Sequence, residues 1–342
     1  MSLGVVLHAA IAFVPYPEGQ RAGVTLNVHV FGFIHGFRMP LFFLVSGYFT
    51  TMIWRRNGAR ALVHKRARKI ALPLALAVVT ILPAVYLTHA AARELMDIEH
   101  PGFRFGFSHL WFLWFLIWMI PGYVVVAEAG RWFLARTGLS DLFERLVPLG
   151  LVGLLLAPIV AAMRMTDPVF GADYSDGLIP NDGVLFYYAC FFAFGAMAYG
   201  RTTPGGTALI DAVGRFWALH LFVATFVFYP AGHALMNDNW NVSAVLQIAF
   251  AWSFVFAMLG LFRQFFADDS PGMRWLADSS YWIYLAHLPL IIILQGLATW
   301  IGLPPIAATP LVVVVATPLL LWSYQTMVRS TWIGVLLNGR RT

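Results

Sequence analysis

The stretch Phe31–Met52 reads FGFIHGFRMPLFFLVSGYFTTM, and IWRRNGARALVHKRARK follows it over 53–69. Coiled as a helix, the 22 residues rise about 33 Å, enough to cross the hydrocarbon core of a bilayer. The basic run behind them is what holds such a helix at the cytoplasmic headgroups. Composition extends this reading to the whole chain. Its 342 residues are 60% hydrophobic and 16% aromatic, 11% are charged, and the mean hydropathy is +0.74. A soluble domain carries about 25% charged residues, so a water-soluble globule is excluded. The 29 Phe, 13 Trp and 12 Tyr exclude a disordered, solvating chain. A formal net charge of +6 does not point to nucleic acid, because the charges line one side of a membrane.

Apolar runs fall at 1–14, 31–52, 70–88, 109–127, 146–162, 183–200, 214–236, 242–265, 279–300 and 305–328. They predict an all-α, polytopic transmembrane helical bundle of about ten spans. No loop is long enough for a second domain, so 1–342 reads as one integral-membrane domain. Met1–Val14 is shorter than a crossing. We read it as the outer part of a helix whose inner end precedes Met1, because it lacks the basic region and cleavage site of a signal peptide before Pro15-Tyr16-Pro17. Seventeen of the 22 Lys and Arg lie on one side: the run Arg55–Lys69, then Arg131, Arg136, Arg145, Arg201, Arg215, Arg263, Arg274, Arg329, Arg340 and Arg341. The other side has Arg21, Arg93, Arg104 and Arg164, which places both termini in the cytoplasm. The acidic loop 163–182, with Asp167, Asp173, Asp176 and Asp182, then faces out. Cys190, the single cysteine, reads as a packed thiol. No internal repeat of the kind common in secondary transporters is visible.

Ionisable groups inside spans are costly and therefore informative. Arg38 is the strongest signal, about two turns into an otherwise apolar segment and needing an anion or a wet cavity. His35 shares its helix face at i−3, and Pro40 should bend the helix beside both. The bland alternative is a side chain that snorkels to the outer headgroups. His8 falls in the outer half of the first span, where a neutral imidazole could take a proton from a hydroxyl. By spacing alone it is equally a satisfied core histidine. His109 opens Ser108-His109-Leu110-Trp111-Phe112-Leu113-Trp114, whose tryptophans are either interfacial belt residues or a stacking platform for a sugar. His287 precedes Pro289 in Tyr281-Trp282-Ile283-Tyr284-Leu285-Ala286-His287-Leu288-Pro289, and its bland reading is interhelical packing. His220 and His233 read as packing residues and His64 as part of the solvated basic patch. Phosphate loops, His-Glu-x-x-His helices, paired cysteines and nucleophile elbows are all missing, so no metal site is expected.

Four blocks together resemble a known family: Leu3-Gly4-Val5-Val6-Leu7-His8-Ala9, Phe37-Arg38-Met39-Pro40-Leu41-Phe42-Phe43-Leu44-Val45-Ser46-Gly47-Tyr48-Phe49, Ser108-His109-Leu110-Trp111-Phe112-Leu113, and Ser280 to Leu290. In order and spacing they are similar to the acyltransferase-3 family of integral-membrane O-acyltransferases. His35-Gly36-Phe37-Arg38-Met39 with Ser108-His109-Leu110-Trp111 most resembles the glucan biosynthesis protein C branch, implicated in succinylating osmoregulated periplasmic glucans. The resemblance implies a bacterial inner-membrane enzyme. Its donor is cytoplasmic acyl-CoA, succinyl-CoA or acetyl-CoA, used as substrate with no tightly bound cofactor, and its acceptor is a periplasmic or surface glycan. His8 matches the family's first-helix histidine, the expected base, and Arg38 the arginine of the Arg-Met-Pro block. The family's arginine about ten residues before that histidine has no counterpart here, and the turns missing from the first span would supply it.

The expected chemistry follows. His8 deprotonates the acceptor hydroxyl, while Arg38, with His35, stabilises the oxyanion or holds the free carboxylate of a dicarboxylic acyl group. Arg55, Arg56, Lys65, Arg66, Arg68 and Lys69 attract the donor's phosphates, and His109, Trp111, Trp114 and His287 meet the sugar. Two rival classes remain open at this point, a secondary transporter and a non-catalytic glycan export partner. Neither would change acyl mass on the glycan.

Overall fold

The computed structural model describes residues 2–11, 24–95, 105–165, 169–268 and 270–339. Arg21, Arg104, Asp167, Arg340, Arg341 and the Pro15-Tyr16-Pro17 break lie outside the described residues. Within them the chain is all helical, apart from an isolated bridge between Thr202 and Ala208.

Among the described residues, helix falls within each of the ten apolar runs. In chain order the α-helices are α1 (Ser2–Ile11), α2 (Val24–Arg66), α3 (Leu72–Leu95), α4 (Trp111–Thr137), α5 (Ser140–Met163), α6 (Asp182–Ala198), α7 (Leu209–Val213), α8 (Trp217–Val223), α9 (Tyr229–Ala234), α10 (Trp240–Phe265), α11 (Pro271–Trp300), α12 (Pro305–Ser323) and α13 (Trp332–Asn338). Three π-helical turns, Ala67–Ala71, Ala224–Phe228 and Tyr324–Val328, link consecutive helices. Among the described residues, six segments are long and apolar enough to cross a membrane: Leu26–Glu94, Ser108–Thr137, Ser140–Met163, Trp240–Phe265, Pro271–Trp300 and Pro305–Val328. The run expected at 214–236 is instead broken into α8, a π turn and α9.

Leu26–Glu94 covers 69 residues, more than one crossing holds, and Gly58 explains how it fits. Its φ of 80° and ψ of 172° interrupt α2. Arg66 Nη2 then donates to Thr50 Oγ1 at 3.0 Å and to Ser46 O at 3.4 Å. In a straight helix residues 50 and 66 would stand about 24 Å apart, so the chain doubles back at Gly58, where a side chain at positive φ would be strained.

Helix starts follow local chemistry. Asn181 accepts from Val184 N at 3.1 Å, Asn239 from Val242 N at 3.2 Å and Ser270 from Met273 N at 3.2 Å, each satisfying an orphan amide of the first turn. Pro271 occupies the first turn of α11, where its missing N–H costs nothing.

Two compact units emerge. The first comprises residues 1–34, 68–110 and 269–342. Its core sets Val5 and Ala9 of α1, one helical turn apart, against Ile283 and Ile291 of α11 and Val312, Ala316 and Leu320 of α12. On another face of α11, Leu288 and Ile292 pack against Val85 and Ala92 of α3. The second unit comprises residues 35–67 and 111–268, and aromatic rings dominate it. Phe37 stacks on Phe254 with centroids 3.8 Å apart and Phe191 on Trp252 at 4.1 Å, while Phe43, Trp111, Phe115 and Tyr188 form a neighbouring group. Here α2 and α6 meet backbone to backbone. A Cβ on Gly47 would lie 2.8 Å from Phe192 C, and one on Gly195 2.8 Å from Leu44 C. Such an approach is open only to glycine, the usual device for close helix contact in membranes. Cys190 is buried in this unit with its thiol free, as its apolar setting suggested.

Candidate active site

The first unit gathers three histidines from distant parts of the chain. His8 comes from α1, His109 from a 3₁₀ turn (Ser108–Leu110) before α4, and His287 from α11. Ring centroids are 5.0 Å apart for His8 and His287, 5.1 Å for His109 and His287, and 6.5 Å for His8 and His109. His109 and His287 are 6% and 3% exposed, and His8 is partly exposed, so the group combines enclosure with an open side.

Each ring is placed by an identifiable cause. Pro289 has no N–H to donate to Leu285 O, four residues back in α11, and His109 Nε2 donates to that carbonyl at 3.0 Å. Tyr284 OH donates to His109 O at 2.9 Å, and Tyr86 OH donates to Gly106 O at 2.7 Å while accepting from Gly106 N at 2.8 Å. Ser108, with φ of 48°, is the only non-glycine at positive φ among the described residues. That conformation costs on the order of 1 kcal/mol and is characteristic of functional turns. His287 Nδ1 donates to Ile283 O at 3.0 Å and Tyr284 O at 2.8 Å, within its own helix. Both buried rings therefore carry a defined N–H, and their neutral lone pairs fall on His109 Nδ1 and His287 Nε2. Gln295 Nε2 donates to His8 O at 2.8 Å and Ala9 O at 2.9 Å. These carbonyls belong to the last turn of α1, which has no intrahelical donors, so a buried amide from α11 caps the helix beside His8.

His35 and Arg38 belong to the second unit. His35 Nε2 donates to Ala172 O at 2.7 Å, and Tyr188 OH to the same carbonyl at 3.3 Å. Gly171 N donates to Gln247 Oε1 at 2.7 Å, and Gln247 Nε2 to Ser243 Oγ at 2.9 Å. The segment around Gly171 is thus tied to α2, α6 and α10. Gly171 has φ of 106°, and a Cβ there would lie 2.8 Å from His35 Cδ2 and 2.9 Å from Gly36 Cα. Gly171→Ala combines backbone strain with overpacking, each costing roughly 1–3 kcal/mol. We expect the variant to expose the 169–173 segment to limited proteolysis, and wild-type resistance would overturn that. Arg38 stays half-buried one turn on from His35.

Of the aromatic pair, Trp111 is 6% exposed and ringed by Phe43, Phe115 and Tyr188. Trp114 is half-buried and donates to Leu178 O at 3.1 Å. His220 and His233 rest against Phe256 and Phe170 respectively, the packing their settings implied.

The basic run divides by task. Arg66 bonds back to Ser46 and Thr50, and Lys69 Nζ donates to Leu337 O at 2.9 Å near the end of α13. Arg55, Arg56, Lys65 and Arg68 remain exposed. A groove of about 860 Å³ opens beside them, lined by Asn57, Ala59, Arg60, Ala61, Val63, His64 and Ala67.

Sequence reasoning missed Ser108, Tyr284 and Gln295 around the histidines, and Gly171, Tyr188 and Gln247 around His35. The spacing of His287 and Pro289 was the one usable signal, since a proline advertises the carbonyl it frees. Among the described residues no cluster of three or more His, Cys, Asp or Glu has metal-binding geometry.

The chain belongs to the acyltransferase-3 family: the family model described as an acyltransferase domain matches residues 1–325. It is a multi-pass membrane acyltransferase. Among curated proteins it is similar to glucans biosynthesis protein C of Escherichia coli O1:K1 / APEC, 26% identical over 365 residues that cover 99% of this chain and 92% of that protein. The same protein of Salmonella paratyphi B is 26% identical over 277 residues, covering 75% of this chain and 70% of the relative. No solved structure matches.

Proposed function

We propose that this acyltransferase moves a succinyl group from acyl-CoA, on the cytoplasmic side of the bacterial inner membrane, to hydroxyls of a periplasmic glucan. The reading assumes cytoplasmic termini, as the distribution of basic residues implies. The single observation that carries the chemistry is the convergence of His8, His109 and His287 within 6.5 Å. A neutral imidazole beside a partly open face is suited to take a hydroxyl proton. The names of the relatives point to glucan, and a half-buried guanidinium suits a dicarboxylic acyl group.

His8 removes the acceptor's proton as its oxygen attacks the thioester carbonyl. Arg38 neutralises an anion, either the developing oxyanion or the free carboxylate of the succinyl group. His35, already bonded to Ala172 O, serves as the brace that keeps the Arg38 helix turn in place. Arg55, Arg56, Lys65 and Arg68, with Arg60 and His64 in the adjoining groove, attract the donor's phosphates. Arg66 and Lys69 act there as struts. His109 and Trp114 are each offered to the sugar, while Trp111 packs among Phe43, Phe115 and Tyr188.

Mass spectrometry of periplasmic glucans from cells with and without the gene tests this. Succinyl mass increments that need the gene are expected. Acetyl increments would reassign the acyl group, and unchanged glucans would overturn the reading.

A further inference from the structure

We propose that His287 is a second proton-handling residue, paired with His8 and held in one tautomer by its own helix. The inference rests on the base role given to His8 above and goes beyond it. Carbonyls only accept, so the bonds to Ile283 O and Tyr284 O place the His287 proton on Nδ1 and the neutral lone pair on Nε2. The His8 ring lies 5.0 Å away between centroids, tilted by 55°, a spacing that suits proton passage through one water. His109 stands edge-on to His287 at 88°, and its bond to Leu285 O ties it to the same stretch of α11. One helix thus orients both buried rings through backbone carbonyls, the arrangement by which a histidine's basicity and direction are set in catalytic relays.

The reaction balances as follows. The hydroxyl oxygen forms its bond to the thioester carbonyl carbon while its proton moves to His8. His287 Nε2 accepts a proton from the imidazolium, spreading the positive charge over two rings. The C–S bond breaks, the thiolate departs with the proton returned through the pair, and both imidazoles end neutral. Substrate binding, the role first expected for His287, needs neither the tautomer lock nor the short distance to His8.

The test compares wild type, His8→Ala and His287→Asn, purified in lipid nanodiscs, by thiol release from succinyl-CoA and acetyl-CoA with periplasmic glucan as acceptor. Asn keeps an N–H donor for the Ile283 and Tyr284 carbonyls and removes Nε2. We expect His287→Asn to lower kcat on the order of 100-fold, with KM for donor and acceptor within about threefold, and added imidazole to restore part of the rate. Raised KM with kcat retained, or wild-type kinetics, in a background where His8→Ala is dead would overturn the pairing and leave the base role of His8 standing. An active His8→Ala enzyme, or a wild type that turns over neither donor, would overturn both.

Discussion

His8→Ala is expected to lower the turnover of acyl transfer about 10²- to 10⁴-fold, the usual contribution of a positioned general base. The protein should still insert and purify as wild type does, because His8 is partly exposed and α1 is held by other means. Val5 and Ala9 anchor it in the core of the first unit, and Gln295 grips the main-chain carbonyls of His8 and Ala9 rather than the imidazole. The substitution therefore separates chemistry from assembly. Glucan acylation in cells and thiol release in nanodiscs are the measurements, alongside a melting curve of the purified variant. A variant that acylates at the wild-type rate removes His8 from the mechanism.

The second large effect concerns assembly alone. Gly195→Ala places a methyl group 2.8 Å from Leu44 C and 3.1 Å from Leu44 Cα, against backbone that cannot swing aside as a side chain could. α6 must move off α2, and Phe43 with it. Phe43 sits at 0% exposure between Tyr188, at 4.8 Å, and Phe112, at 4.8 Å. Overpacking of a rigid contact costs roughly 1–3 kcal/mol and occasionally more, and loosened rings add to it. We expect a loss of roughly 2–12 °C in the melting temperature and low yield, with Gly47→Ala behaving alike because its Cβ meets Phe192 C at 2.8 Å. Unchanged melting in both variants would show that the two helices tolerate a wider spacing.

Much of the helix inventory was legible because apolar length is a direct consequence of bilayer thickness. What composition could not reveal was how consecutive helices join. The basic run over 53–69 reads as a loop, yet it is helical on both sides of Gly58, and only that residue's backbone turns the chain. The site divides in the same way. His8, His109 and His287 each stood out as intramembrane imidazoles, but nothing in their spacing shows that they meet, since packing of α1 and α3 on α11 brings them together. Spacing did place His35 and Arg38 on one helix face, and what it left out was Ala172. A segment far along the chain claims the imidazole through the Ala172 carbonyl, while Arg38 stays half-buried one turn on. Charge counting treated Arg66 and Lys69 as equal to their neighbours, whereas their hydrogen bonds to Thr50 and Leu337 O make them part of the frame.

The grip of Gln295 on the end of α1 spans 287 residues of chain. At about 5–20 residues per second of synthesis, the amide that completes the His8 turn leaves the ribosome roughly 15 to 60 seconds after the histidine itself. Throughout that interval α1 waits in the membrane without its docking face. The turn that carries His8 is therefore completed late in synthesis, once α11 has followed α1 out of the ribosome.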